Sequence, residues 1–309
     1  RFDMKTKNIA AMNDAAALRA STVCLSLSIS GLGTTRKVAS GEVAPAGCSE
    51  DMLHVHKDIV ESEKLTKVRT VQQRMRAAVT SEATTPTWIK GGFYLVPKAR
   101  LSAIYARLTD LDAEMKEAVA AFVEEYPAAV EASKAKLGPL AKDADYPDVS
   151  TVAAAFSASW FTVDLGPAQN VDDDIRAIEA AKAEKAWAEA VSEVRTILRL
   201  TMLDLVNKMS ELTAPPADGS LRAFRGGPAL DKLVAFLEEW PLRNVASDAD
   251  LDAIVAKAKA LLVGVDAADL KGADEITQEI RNAVHEDMEK VAAALEPLVG
   301  KAPRRKLAW

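Results

Sequence analysis

Cysteine is nearly absent from this 309-residue chain, where Cys24 and Cys48 are the only two. Two thiols make no disulfide framework, and no further ligands accompany them at zinc-site spacing. A reduced, cytoplasmic protein is expected. Aromatic residues make up only 5% of the sequence, and 14 glycines and 13 prolines are few for the length. With so much alanine, that scarcity argues against a sandwich or barrel and for helices. No run of about 18 apolar residues occurs, so no membrane-spanning helix is expected. The opening residues, Arg1-Phe2-Asp3-Met4-Lys5, do not read as a secretory leader. Cations are also short: 39 Lys and Arg against 45 Asp and Glu leave a net charge of -6. That balance argues against nucleic acid as a partner of the whole surface.

What the chain does have is a long stretch, 170–212, without proline or glycine. It opens with Asp172, Asp173 and Asp174, and apolar residues recur at Val171, Ile175, Ile178, Trp187, Val191, Val194, Leu198, Leu205, Met209 and Leu212. Steps of three and four mark a helix face. A helix of that length runs about 60 Å at about 1.5 Å per residue. Its two halves differ. From Trp187 on, Ile197, Leu200, Leu203 and Val206 add apolar faces, as a core helix requires. The first half, 171–185, is charged and alanine-rich with one narrow apolar stripe. It is expected to be an exposed strut, open to a partner.

The rest of the chain supplies helices and a few strands. Residues 1–20 read as an N-terminal arm or short helix. Val23, Leu25, Leu27 and Ile29 alternate with small residues, the period of a half-buried strand over 21–30. A helix is expected from about Asp51 to Val79. Residues 88–96 suggest extended pieces hinged at Gly91-Gly92, and 159–165 another strand. Leu101, Ile104, Leu108, Leu111, Met115, Val119, Phe122 and Tyr126 form a helix–helix seam, with a break or kink at Pro127. Beyond a linker at 213–227, three amphipathic helices occupy 228–309. The fold expected is mainly α: a long antiparallel, coiled-coil-like hairpin of 98–126 against 171–212, a small antiparallel sheet (about 21–30, 88–96 and 159–165) and a C-terminal three-helix unit. The domains follow as an arm (1–20), an elongated helical region (21–212), a linker (213–227) and the C-terminal unit (228–309).

No catalytic, cofactor or metal constellation emerges. Gly31-Leu32-Gly33-Thr34-Thr35-Arg36-Lys37 follows a strand, but no Gly precedes the Lys and Val38 follows it. A phosphate loop needs a Gly-Lys-Ser/Thr ending, so this reads as a turn bearing two cations. Arg36 and Lys37 are therefore candidates for docking an acidic partner. His54-Val55-His56 is expected at a helix start, where residues two apart diverge and do not share a metal. Asp172-Asp173-Asp174 suits a helix N-terminus better than a cation site. The basic end, Arg304, Arg305 and Lys306 with Trp309, is a candidate partner-binding or self-assembly anchor.

The order of segments resembles a known family. The carriers are 27–30 followed by Arg36-Lys37, then Gly91-Gly92-Phe93-Tyr94-Leu95-Val96-Pro97, Phe122-Val123 with Tyr126, Tyr146-Pro147, and Phe161 with Val163. The family comprises helical proteins of unknown function from bacteria, plasmids and phages. Its members are encoded beside MoxR-type AAA+ ATPases and cobaltochelatase-like proteins with von Willebrand A domains. The resemblance covers about 20–212, and Thr35-Arg36-Lys37 stands where the family turn has Gly-Arg-Lys. It implies no catalytic residues. The expectation is a non-enzymatic adaptor working with an AAA+ ATPase and a von Willebrand A protein. The alternative is a self-assembling structural protein, phage-associated or a cytoplasmic polymer.

Overall fold

Extended backbone forms over 22–30, where small residues alternate with aliphatic ones, and the long helices form where apolar residues step by three and four. The computed structural model describes residues 2–39, 42–43, 54–166, 171–216, 220, 224–272 and 274–299, with side chains from Met12 onward. In chain order the elements are α1 (Phe2–Ser21), β1 (Thr22–Ser30), β2 (Thr35–Val38), β3 (Val55–Asp58), α2 (Glu63–Thr80), β4 (Phe93–Pro97) and α3 (Leu101–Leu137). There follow α4 (Val149–Ala155), β5 (Ser157–Val163), α5 (Asp173–Thr213), α6 (Gly227–Glu238), α7 (Trp240–Arg243), α8 (Ala249–Leu261) and α9 (Glu275–Val299). The protein is mainly helical. Its small three-stranded sheet has the order β4-β1-β5, formed from the three segments expected.

Residues 22–27 of β1 are covered on both faces, while at its end Ser28 and Ser30 face solvent as the alternation implies. Thr22, Cys24 and Ser26 are buried along with Leu25 and Leu27. Small side chains on the second face let neighbours approach closely, which the alternation alone did not reveal. The antiparallel sense of β1 and β5 shows where Ser30 Oγ meets Ser157 Oγ at 2.8 Å.

Three boundaries differ from expectation. Within the helix expected from Asp51 to Val79, Val55–Asp58 is instead β3, paired antiparallel with β2 in the register Thr35↔Asp58 to Val38↔Val55. The helix α2 starts only at Glu63, because Ser62 Oγ accepts the Lys64 and Leu65 N–H groups as N-cap. Of the two pieces around Gly91-Gly92, only the second is a strand. Both glycines have positive φ, 40° and 79°, so the chain turns there before β4. Finally, α3 continues as one helix through Pro127 to Leu137, without a break there. Tyr126, Ala129, Val130 and Ser133 continue its buried seam, and Gly138 at φ 51° ends it.

The chain forms two compact units that alternate along the sequence. One takes Leu25–Ser81 and Leu101–Thr162; the other takes Arg1–Cys24, Glu82–Arg100 and Val163–Trp309. In the first, α2 packs against α3. Arg74 pairs with Glu114 at 2.5 Å, Lys64 with Glu125 at 3.4 Å and Lys136 with Glu61 at 2.9 Å. Numbers rising on one helix as they fall on the other make the pair antiparallel. The long antiparallel pair is thus present, but α3 has α2 as its partner, not 171–212.

In the second unit α5 packs against α9, α1 and α6, and α8 packs against α9 and α6. Trp187, Val194, Leu198, Met202 and Met209 of α5 share one core with Leu233, Trp240, Leu251 and Met288. The described residues from 228 to 299 are therefore not a separate unit behind a linker; the apolar faces of α6, α8 and α9 close over α5. Residues 1–20 are not a loose arm either, since α1 buries Ala15 and Leu18 in that core. Asp248 caps α8 by accepting the Leu251 N–H, and Asp274 accepts the Thr277 N–H at the start of α9.

Candidate functional site

The helix α5 divides where its composition divides. Its buried residues begin at Trp187. Between Val171 and Ala186 none is buried. Two large apolar side chains on this half face water: Ile175 is 49% exposed and Ile178 56%. They lie three residues apart, so they are neighbours on one face. The charges around them are tied locally, Arg176 to Asp173 at 2.9 Å and Lys182 to Glu179 at 2.7 Å. Asp172 precedes the helix and makes no side-chain cap bond. The acidic triplet lends its charge to the helix start without closing a cap.

At Trp187 the character changes. Trp88 meets Trp187 edge-on with ring centroids 5.7 Å apart, and Thr87 gives its N–H and hydroxyl to the Glu193 carboxylate. Further along, Arg195 pairs with Asp14 at 2.8 Å and donates to the Ala246 carbonyl. Arg199 grips Asp248 with two bonds of 2.7 and 2.8 Å and reaches the Leu298 carbonyl. These arginines fasten α1, α8 and α9 to the apolar half. They are committed inside the fold.

The turn candidates are split by their strand. Arg36 and Lys37 are adjacent in β2, so their side chains leave on opposite faces. Lys37 lies opposite His56 and is exposed; Arg36 lies opposite Lys57 and is half-buried. Arg36 Nη1 donates to the carbonyls of Gly33 and Thr35 at 2.9 and 3.1 Å. The sequence reading missed Arg69 of α2, whose Nη2 donates to Thr34 Oγ1 on the same turn. A signal for it existed. Three and four positions to either side of Arg69 stand Thr66, Leu65, Gln72 and Gln73, none of them acidic. Arg304, Arg305, Lys306 and Trp309 lie outside the described residues.

The histidines stay apart. His56 is in β3 and His54 just before it, while His285 of α9 sits 3.0 Å from Ser210 Oγ through Nδ1. Among the described residues no group of three or more His, Cys, Asp or Glu side chains is placed to hold a metal, and no helix is long and apolar enough to cross a membrane. Burial pushes the Cys24 thiol above its ordinary range, against the pull of a backbone hydrogen bond at Tyr94. A thiol so placed stays protonated and inert.

A family described as a protein of unknown function, DUF3150, matches residues 21–212. The chain belongs to the DUF3150 family. Neither a curated protein nor a solved structure matches it. The DUF3150 segment takes in β1, the Arg36 turn and the whole exposed half of α5. It also contains the apolar half of α5, but not α6, α8 and α9, which cover that half.

Proposed function

We propose that this DUF3150 protein is a non-enzymatic adaptor that presents the first half of α5 to a protein partner. The observation that carries the reading is the contrast within one helix: Trp187 to Met209 is built into a core, while Ile175 and Ile178 are held out in water. Rigid support at one end holds the other end in place without ordering cost at the moment of binding. The partner proposed is a MoxR-type AAA+ ATPase, acting with a von Willebrand A protein to remodel a target in the cytoplasm. That identity follows from the family resemblance of 20–212. No cofactor enters the reading.

The test is the ATPase rate of such a partner, with and without this protein. Addition is expected to change the rate at micromolar concentration, and Ile175→Asp with Ile178→Asp to abolish the change. Burying a half-exposed isoleucine contributes about 1 kcal/mol, so each substitution is expected to weaken binding about tenfold once the added charge is counted. An unchanged rate and no co-purification at micromolar protein would overturn the adaptor.

Self-assembly is the second reading, and the exposed pair Ile175 and Ile178 favours it as well, since two copies packed on that face would bury both. Mass photometry separates the readings, since monomer alone across the concentration range removes this one.

A further inference from the structure

The residues linking β1 to β2 carry a second, independent feature. Gln72 of α2 donates to the Ser30 carbonyl at 2.8 Å, and a Cβ on Gly31 would come within 3.1 Å of that amide. The turn is thereby held close against α2. Arg69 precedes Gln72 by one helical turn and reaches Thr34, while Arg36 reaches back to Gly33. Two guanidinium groups from different elements are thus anchored on neighbouring residues of one turn.

Each is anchored by a single nitrogen. Arg36 spends Nη1 on its two carbonyls and Arg69 spends Nη2 on the threonine hydroxyl. Among the described residues neither has a carboxylate at ion-pair distance, unlike Arg74, Arg100, Arg195 and Arg199. Asp58, across the β-ribbon, receives the Thr35 hydroxyl instead, and Asp145 is taken by buried Lys57. The remaining N–H groups of both forks therefore stand ready in a fixed place. Guanidinium forks match the two oxygens of a carboxylate with two parallel bonds. A lysine does not complete a phosphate cradle here, because Lys37 leaves on the other face of β2.

We infer that the Arg36–Arg69 turn is a docking site for side-chain carboxylates of an acidic polypeptide segment. A short acidic segment suits it better than a nucleic acid, since the chain as a whole carries a net charge of -6 and repels a long polyanion. The site stands apart from the α5 reading. Both arginines lie in the unit that does not contain α5.

The test uses the full chain and a fluorescent hepta-glutamate peptide, read by anisotropy at low ionic strength. Arg36→Gln and Arg69→Gln are each expected to raise Kd at least tenfold, and Arg69→Lys to raise it nearly as much by removing the fork while keeping the charge. Lys37→Gln is expected to stay within twofold, and so is Ile175→Asp. Melting curves of each variant separate lost binding from lost fold, and Arg69→Lys serves if a glutamine variant does not fold. Equal losses for Lys37→Gln and Arg36→Gln would mean a diffuse basic surface and overturn the site. So would no binding of the wild-type chain at millimolar peptide. Displacement of the peptide by an oligothymidylate at lower concentration than by unlabelled peptide would overturn the carboxylate assignment, as would equally effective displacement by inorganic phosphate.

Discussion

Asp248 is 2% exposed, and Arg199 meets it with a two-pronged contact from the middle of α5. Burial works against its charge, yet the Arg199 bonds and the Leu251 N–H outweigh it and hold the carboxyl below its ordinary range. The folded protein therefore binds that proton less readily than the unfolded chain does. The stabilisation is fully present above the ordinary carboxylate range and is lost as pH falls through the folded value. Asp248→Ala takes the two-pronged partner from the Arg199 guanidinium, 16% exposed at its side chain, and leaves it only the exposed Asp250 at 3.2 Å and the Leu298 carbonyl. Breaking a buried pair costs about 3–5 kcal/mol, and partial exposure puts this case near about 3. At about 2–4 °C per kcal/mol the thermal midpoint at pH 7 is expected to fall by about 6–12 °C. The difference from wild type should shrink below about pH 4, in melts repeated down the acid limb. Equal destabilisation at every pH would show that the pair is not what Asp248 contributes. The capping role of Asp248 was legible in the sequence, because Ser247-Asp248 precedes an amphipathic run. Its arginine was not, because a cation in the middle of α5 gives no sign of a partner 49 residues away.

Elements were legible in proportion to the length of their pattern. The seams of α3, of α5 from Trp187 and of α9 from Val284 repeat over several turns, and burial there followed the spacing, whereas Ile175, Ile178 and Ile276 keep the spacing and are exposed. The ribbon β2–β3 has four residues in each strand, too few to show a period beside Gly31–Thr35 and the histidines. Pairing was the harder inference. Both α3 and α5 offer long apolar seams, and spacing alone does not say which of them meets the buried face of α2, Leu65, Val68, Val71, Met75 and Val79. Pro127 shows the same competition inside one element. Its ring faces solvent and removes the donor that would meet the Val123 carbonyl, yet burial on the far face carries α3 through. Proline in a helix interior costs up to about 3 kcal/mol relative to alanine. Pro127→Ala is expected to stabilise the protein by about 1–3 kcal/mol, seen as a higher urea midpoint with the slope unchanged. A lower midpoint would mean that the proline bends α3 into a shape its contacts require.

At the scale of the whole molecule, the family boundary and the packing boundary do not coincide. DUF3150 ends at residue 212, one position before α5 ends, while the core around α5 draws on α6, α8 and α9. A sequence reading that takes 213–227 as a linker sees two domains there, because glycines and prolines cluster as they do between independent folds. The packing says otherwise: the residues from Trp187 onward need more than one neighbour, and α1 alone does not cover Met202, Val206 and Met209 on all sides. A chain cut after residue 216 is therefore expected to expose that face, bind 1-anilinonaphthalene-8-sulfonate and aggregate at micromolar concentration. Mixing it with a separately produced 217–309 segment is expected to restore solubility, since the apolar surfaces are complementary. A truncated chain that stays monomeric, with wild-type melting and no dye binding, would sink this account of α5. It would also weaken the adaptor proposal, whose rigid presentation of Ile175 and Ile178 depends on the far half of the same helix being clamped.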